Sequence, residues 1–86
     1  MAISASRVTA STSAVALNAA SSSGQVLTVK NTSANAADLG ASTVTAAAGF
    51  DLAAGATVTL TVDAGDVLYA IRSGGADATL SILRKI

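Results

Sequence analysis

From Thr57 to Val62, TVTLTV, apolar and polar positions alternate: Val58, Leu60 and Val62 share one face and Thr57, Thr59 and Thr61 the other. Period two with β-branched residues on both faces predicts a strand. The same alternation recurs in Gln25 to Asn31 (QVLTVKN), where Leu27 and Val29 oppose Thr28 and Lys30. It recurs again in Ala78 to Leu83 (ATLSIL), where Leu80 and Ile82 share a face. Val67 to Arg72 (VLYAIR) is a further strand, bounded by Gly65 and by Gly74-Gly75. Shorter strands are predicted at Ser13 to Leu17, Ala37 to Gly40 and Phe50 to Leu52, with an early one near Arg7-Val8. About seven or eight short strands result.

Turn signals separate them: Ser21 to Gly24, Asn31 to Asn35, Ala46 to Gly49, Ala54-Gly55, Asp63 to Asp66 and Ser73 to Ala76. A turn every 8–12 residues or so predicts an all-β fold, a single small antiparallel β-sandwich, jelly-roll or Greek-key like. No linker divides the chain, so one domain is expected: an N-terminal segment 1–20 and a sandwich body 21–86. The N-terminal segment is small, polar and weakly patterned, and reads either as a first strand or as an arm that orders on a partner.

Composition changes this picture in one respect. The 51% hydrophobic content is misleading, because 21 of those 44 residues are alanine. With so few large side chains the core should be thin, and a core of this size rarely supplies more than about 3–5 kcal/mol. No cysteine can form a disulfide, and no histidine or cysteine is present to hold a structural zinc. Oligomerisation is the remaining common remedy, so a partner surface is expected.

Charge excludes more. Arg7, Lys30, Arg72, Arg84 and Lys85 balance five aspartates, and the net charge is zero. Nucleic-acid binding is not expected, because no basic stripe forms and Phe50 and Tyr69 alone make no stacking platform. No membrane span is expected, since no run approaches the ~20 apolar residues required. The start of the chain lacks the cationic and continuous apolar regions of a signal peptide. The lack of cysteine agrees with synthesis in a reducing cytoplasm.

Catalytic chemistry is also poorly supplied. Without histidine or cysteine, only the aspartates, Tyr69, Lys30 and Lys85 remain for acid-base work. No serine lies in Gly-x-Ser-x-Gly, and Gly74-Gly75 lacks the lysine and spacing of a phosphate loop. A Ser-Lys dyad through Lys30 or Lys85 is the residual option. The expectation is no enzyme, no catalytic residues and no cofactor. Asp63-Ala64-Gly65-Asp66 raises a metal question, but calcium takes six to eight oxygens. Two aspartates fall short unless Asp51 or Asp77 approaches, so a turn closed by Asp63 and Gly65 is favoured and no metal site is assigned. Arg72 to Asp77 is read as a hairpin with a cross-strand ion pair. Tyr69 alternates with Val67 and Ile71, which indicates packing at the core edge or an interface rather than a ligand contact.

The order of several pieces resembles small β proteins from the structural gene clusters of tailed bacteriophages. These are Val29 to Asn31, Leu39-Gly40, Ser42 to Thr45, Gly49-Phe50, Leu52 to Gly55 and Gly65 to Ala70. The resemblance covers Gln25 to Ile71 and departs from the pattern at Ala37-Asp38, where a larger apolar or aromatic pair is more usual. It implies a virion structural protein without catalytic residues, most of all a head decoration or cement protein. Such a protein binds the major capsid protein on the outer capsid surface, is usually trimeric, and is made in the host cytoplasm. A tail, neck or head-fibre module is the alternative within that class, and a surface glycan-binding module the alternative outside it.

Overall fold

The computed structural model describes residues 3–46 and 48–86. Ala47, within the predicted Ala46 to Gly49 turn, and Met1 and Ala2 of the N-terminal segment lie outside the described residues. The strands are β1 (Ile3–Ala10), β2 (Val15–Ala16), β3 (Gln25–Asn31), β4 (Ala37–Gly40), β5 (Phe50–Leu52), β6 (Thr57–Val62), β7 (Tyr69–Arg72) and β8 (Ala78–Lys85). They form two four-stranded antiparallel sheets, sheet I in the order β1-β8-β3-β6 and sheet II in the order β2-β7-β4-β5. The fold is therefore a small all-β sandwich.

In the pairing, β1 meets β8, β2 meets β7, β3 meets β6 and β4 meets β5. The chain behaves as one long hairpin folded back at the β4–β5 loop and then rolled into two layers, which is the jelly-roll arrangement. β3·β8 and β4·β7 pairings close the roll. The first twenty residues contribute one strand to each sheet: β1 lies along the whole length of β8, and β2 lies beside β7.

Alternation places the core. Leu27 and Val29 of β3, Leu80 and Ile82 of β8 and Val62 of β6 face Leu39, Leu52, Ala70 and Ala37 of sheet II. Four of the thirteen buried hydrophobics are alanines, which let the sheets close with few large side chains. The accessible surface is 4454 Å², close to the roughly 4,500 Å² expected of a compact monomer of this mass. The expectation of a thin core thus concerns side-chain size and not poor closure.

Several strand ends differ from the sequence-based limits. β1 and β8 are longer than predicted because each is the other's full-length partner. β7 begins at Tyr69 and not at Val67, because Leu68 N–H donates to the Asn18 side chain and its carbonyl accepts from Leu17. Gln25 and Asn31, read as strand end and turn residue, point into the interior. Asn31 Nδ2 donates to Asn35 O (2.7 Å) and Leu52 O (3.1 Å), while its Oδ1 accepts from Ser33 N–H and Oγ. Gln25 Nε2 donates to Ala19 O at 2.8 Å.

Candidate functional site: the outer face of sheet I

Since Leu27, Val29, Leu80 and Ile82 point inward, the odd residues of β1, β6 and β8 that alternate with the core, and the even residues of β3, point outward. One row across the sheet is Arg7–Ser81–Lys30–Thr57, the next Ala5–Leu83–Thr28–Thr59, and the next Ile3–Lys85–Val26–Thr61. Thr9 and Thr79 complete the face. Thr28 and Thr59 hydroxyls bond across the strands at 3.1 Å, which stiffens its surface.

Two properties converge here. Among the described residues the exposed large hydrophobics are Ile3 (68%), Leu83 (49%), Val26 (38%) and Phe50 (62%), and the first three are on this face. Three of the five cations, Arg7, Lys30 and Lys85, also lie on it, and none of the aspartates does. The face therefore carries +3, and the rest of the neutral chain carries −3. Leu83, Val26, Ala5 and Thr28 form a weakly polar centre with the cations around it, the layout of a docking surface. A shallow depression of about 450 Å³ runs between Arg7 and Lys30 over Ser81 and Leu83. The predicted TVTLTV strand pointed to an uncharged threonine face, but the part played by Ile3, Val26 and Leu83 required the register.

The aspartates are dispersed elsewhere. At the Asp63–Asp66 corner, Asp66 N–H donates to Asp63 O (3.0 Å) and Gly65 has φ 84°. Ala53 to Ala56 repeats this arrangement, with Ala56 N–H on Ala53 O (3.0 Å) and Gly55 at φ 77°. Both have the type II signature, a glycine at positive φ in third position. The two corners, Ala53 to Ala56 and Asp63 to Asp66, are thus alike, and the predicted Asp63–Gly65 turn is closed through the Asp63 backbone carbonyl. Asp77 instead pairs with Arg72 at 2.9 Å, the ion pair that the sequence predicted. The hairpin read there is corrected: β7 belongs to sheet II and β8 to sheet I, so residues 73–77 cross between the sheets and do not join paired strands. Asp51 lies near Asp38, with the Ser73 hydroxyl 2.6 Å from Asp38 Oδ1 and 3.3 Å from Asp51 Oδ1. Among the described residues no three acidic, histidine or cysteine side chains cluster as a metal site.

Asp38, where the resembling pattern is usually apolar or aromatic, is buried on the outer side of sheet II beneath the β4–β5 loop. Besides the Ser73 hydroxyl it takes Gly49 N–H at 3.4 Å. Lys30 is opposite Ser81 in the register, but no side-chain hydrogen bond joins them, and Lys85 is opposite Ile3 and Val26. Tyr69 is half-buried and shares the outer side of sheet II with Gly40. Phe50, opposite Leu39, is on the inner side at the sheet edge. The two aromatics thus point to opposite faces and build no common platform for a sugar ring.

No helix among the described residues is long and apolar enough to cross a membrane. Comparison with known protein families, with curated proteins and with solved structures finds no match in any of the three.

Proposed function

We propose that the protein is a non-enzymatic structural protein of a phage virion, a decoration or cement protein that docks on the outer capsid surface and acts as a homotrimer. The observation that carries this reading is the outer face of sheet I, where exposed apolar side chains coincide with cations that have no ion-pair partner among the described residues, on a hydroxyl-rich surface. Such a face suits an acidic protein surface, with apolar contacts for affinity and cations for steering. The order of motifs from Gln25 to Ile71 adds the resemblance to phage structural proteins. The jelly roll recurs in viral capsid domains but also in lectins and cupins, so the fold alone adds only analogy. Stabilisation of a particle by such a protein follows from mass action, since binding to the assembled lattice lowers its free energy relative to the dissociated one.

The test is retention on purified particles together with the particles' thermal stability. Wild-type protein should cosediment and raise the disruption temperature. Leu83→Asp and Lys30→Glu should fold normally and lose retention. Particles equally stable with and without the protein would overturn the reading.

A further inference from the structure

Sheet I ends in two unpaired strands, β1 and β6, and the ladder pattern tells which backbone groups they expose. Asn31 N–H donates to Ala56 O at 2.9 Å, which makes Val29·Val58, Leu27·Leu60 and Gln25·Val62 the hydrogen-bonded pairs of β3·β6. Thr57, Thr59 and Thr61 therefore aim their N–H and C=O groups away from the sheet. Thr32 N–H donates to Thr79 O at 3.0 Å, so β3 bonds β8 at Ser81, Leu83 and Lys85. β8 then bonds β1 at Ser4, Ser6 and Val8, and Ile3, Ala5 and Arg7 aim their backbone groups outward.

The two edges match in three ways. They run antiparallel to each other within the sheet, so a second copy placed alongside brings β1 to β6 in antiparallel sense. Odd residues must pair with odd residues, so the outer face continues across the junction without inversion. The charges lean opposite ways: Asp63 and Asp66 follow directly on β6, whose neighbour β3 carries Lys30, while Arg7 is on β1 and Arg84 and Lys85 on its neighbour β8. Arg72–Asp77 is the only ion pair among the described residues, so none of these charges has an ion-pair partner among them. The β6 edge also borders an apolar groove of about 270 Å³, lined by Phe50, Val58, Leu60 and Leu68. Neither strand carries a proline, and Arg7 is the only charge on either, so the usual protection of exposed edges is minimal.

We propose that the β6 edge of one copy receives the β1 edge of a second copy, continuing sheet I from subunit to subunit. The contact is heterologous, the kind that a cyclic trimer requires. It specifies the interface of the assembly in the functional reading above and rests on that reading.

The experiment combines Ala5→Cys in turn with Thr57→Cys, Thr59→Cys and Thr61→Cys, oxidises each protein gently, and reads non-reducing gels beside light scattering. The chain has no cysteine of its own. Within one chain Ala5 is three strand spacings from Thr59, about 14 Å, beyond the roughly 7 Å limit for a disulfide. Covalent trimers or longer ladders in at least one combination, with single variants giving at most dimers, are expected. Assembled protein by light scattering with no combination cross-linked beyond its single variants would overturn the edge pairing while leaving the assembly standing. Monomeric protein with no cross-linking would overturn both.

Discussion

Asn31 and Asn35 belong to one loop and have the same side chain, yet replacement by alanine should have very different costs. Asn31 is fully buried and its amide makes four hydrogen bonds. Asn35 is exposed and its Nδ2 makes one bond, to Asp77 O at 3.0 Å. In Asn31→Ala the Leu52 carbonyl, 3.1 Å from Nδ2 in a buried setting, loses the bond that this side chain supplies. A buried acceptor left unmatched costs about 1–3 kcal/mol, and the three part-buried bonds add roughly 0.5 kcal/mol each after water re-enters. The sum is about 2.5–4.5 kcal/mol, most of what a core of this size supplies. Urea unfolding followed by far-UV circular dichroism should show it. With a slope of about 1 kcal/mol per molar, the midpoint should fall by at least ~2 M. Asn35→Ala should stay within about 1 kcal/mol of wild type. If Asn31→Ala moved the midpoint by less than ~0.5 M, the amide would not be the junction of the β3–β4 loop and β5, and the reasoning would fail.

Other substitutions test other parts of the fold. A Cβ at Gly49 would lie 2.6 Å from Val44 Cγ2 and 2.7 Å from the Leu39 carbonyl oxygen; Gly49→Ala should destabilise by about 1–3 kcal/mol, whereas Gly74→Ala, which meets open space, should be near neutral in the same melts. Ser73→Ala removes the 2.6 Å donor from buried Asp38 and should cost about 1–3 kcal/mol; the double variant with Asp38→Ala should cost less than the two single effects added. Arg72→Ala breaks a partly exposed pair with Asp77 and should lower stability by no more than about 1 kcal/mol, with wild type and variant converging in high salt.

Strands were legible wherever alternation was strong. Gln25–Asn31, Ala37–Gly40, Phe50–Leu52 and Thr57–Val62 stand as read from the sequence. β1 was legible only near Arg7-Val8, because its inward residues Ser4 and Ser6 carry no hydrophobic signal and its length is set by β8, a partner some seventy residues away in the chain. The buried roles of Asn31 and Gln25 were illegible for a related reason: asparagine in a turn is common for local causes, and only the roll of the chain brings Leu52 O and Ala19 O within reach. The candidate face was half legible. The threonines of TVTLTV are contiguous, but Ile3, Val26 and Leu83 come from three strands and look like ordinary alternation until the register puts them together.

Docking and assembly are linked through area. Strands of six to eight residues span about 20–27 Å, and four of them at about 4.8 Å spacing cover roughly 19 Å, a plan area of about 450 Å². Corrugation enlarges the accessible area, but one copy remains near or below the ~800 Å² per partner of a stable complex. A single subunit should therefore hold a particle weakly. Edge pairing of β1 with β6 keeps odd residues on the same side of the continued sheet, so every copy presents its cationic face on the outside of the assembly. An assembly that engages a particle through more than one copy gains avidity of about 10²–10⁴ without any new type of contact. Ala5→Pro leaves every other outward apolar and charged side chain of the face in place and removes a backbone donor that β8 does not use. Its circular dichroism should match wild type, its mass should fall to that of one 8.2 kDa chain, and its retention on particles should fall at least ~100-fold. Wild-type retention by a monomeric Ala5→Pro protein would mean that one face suffices, and the link between assembly and docking would be refuted.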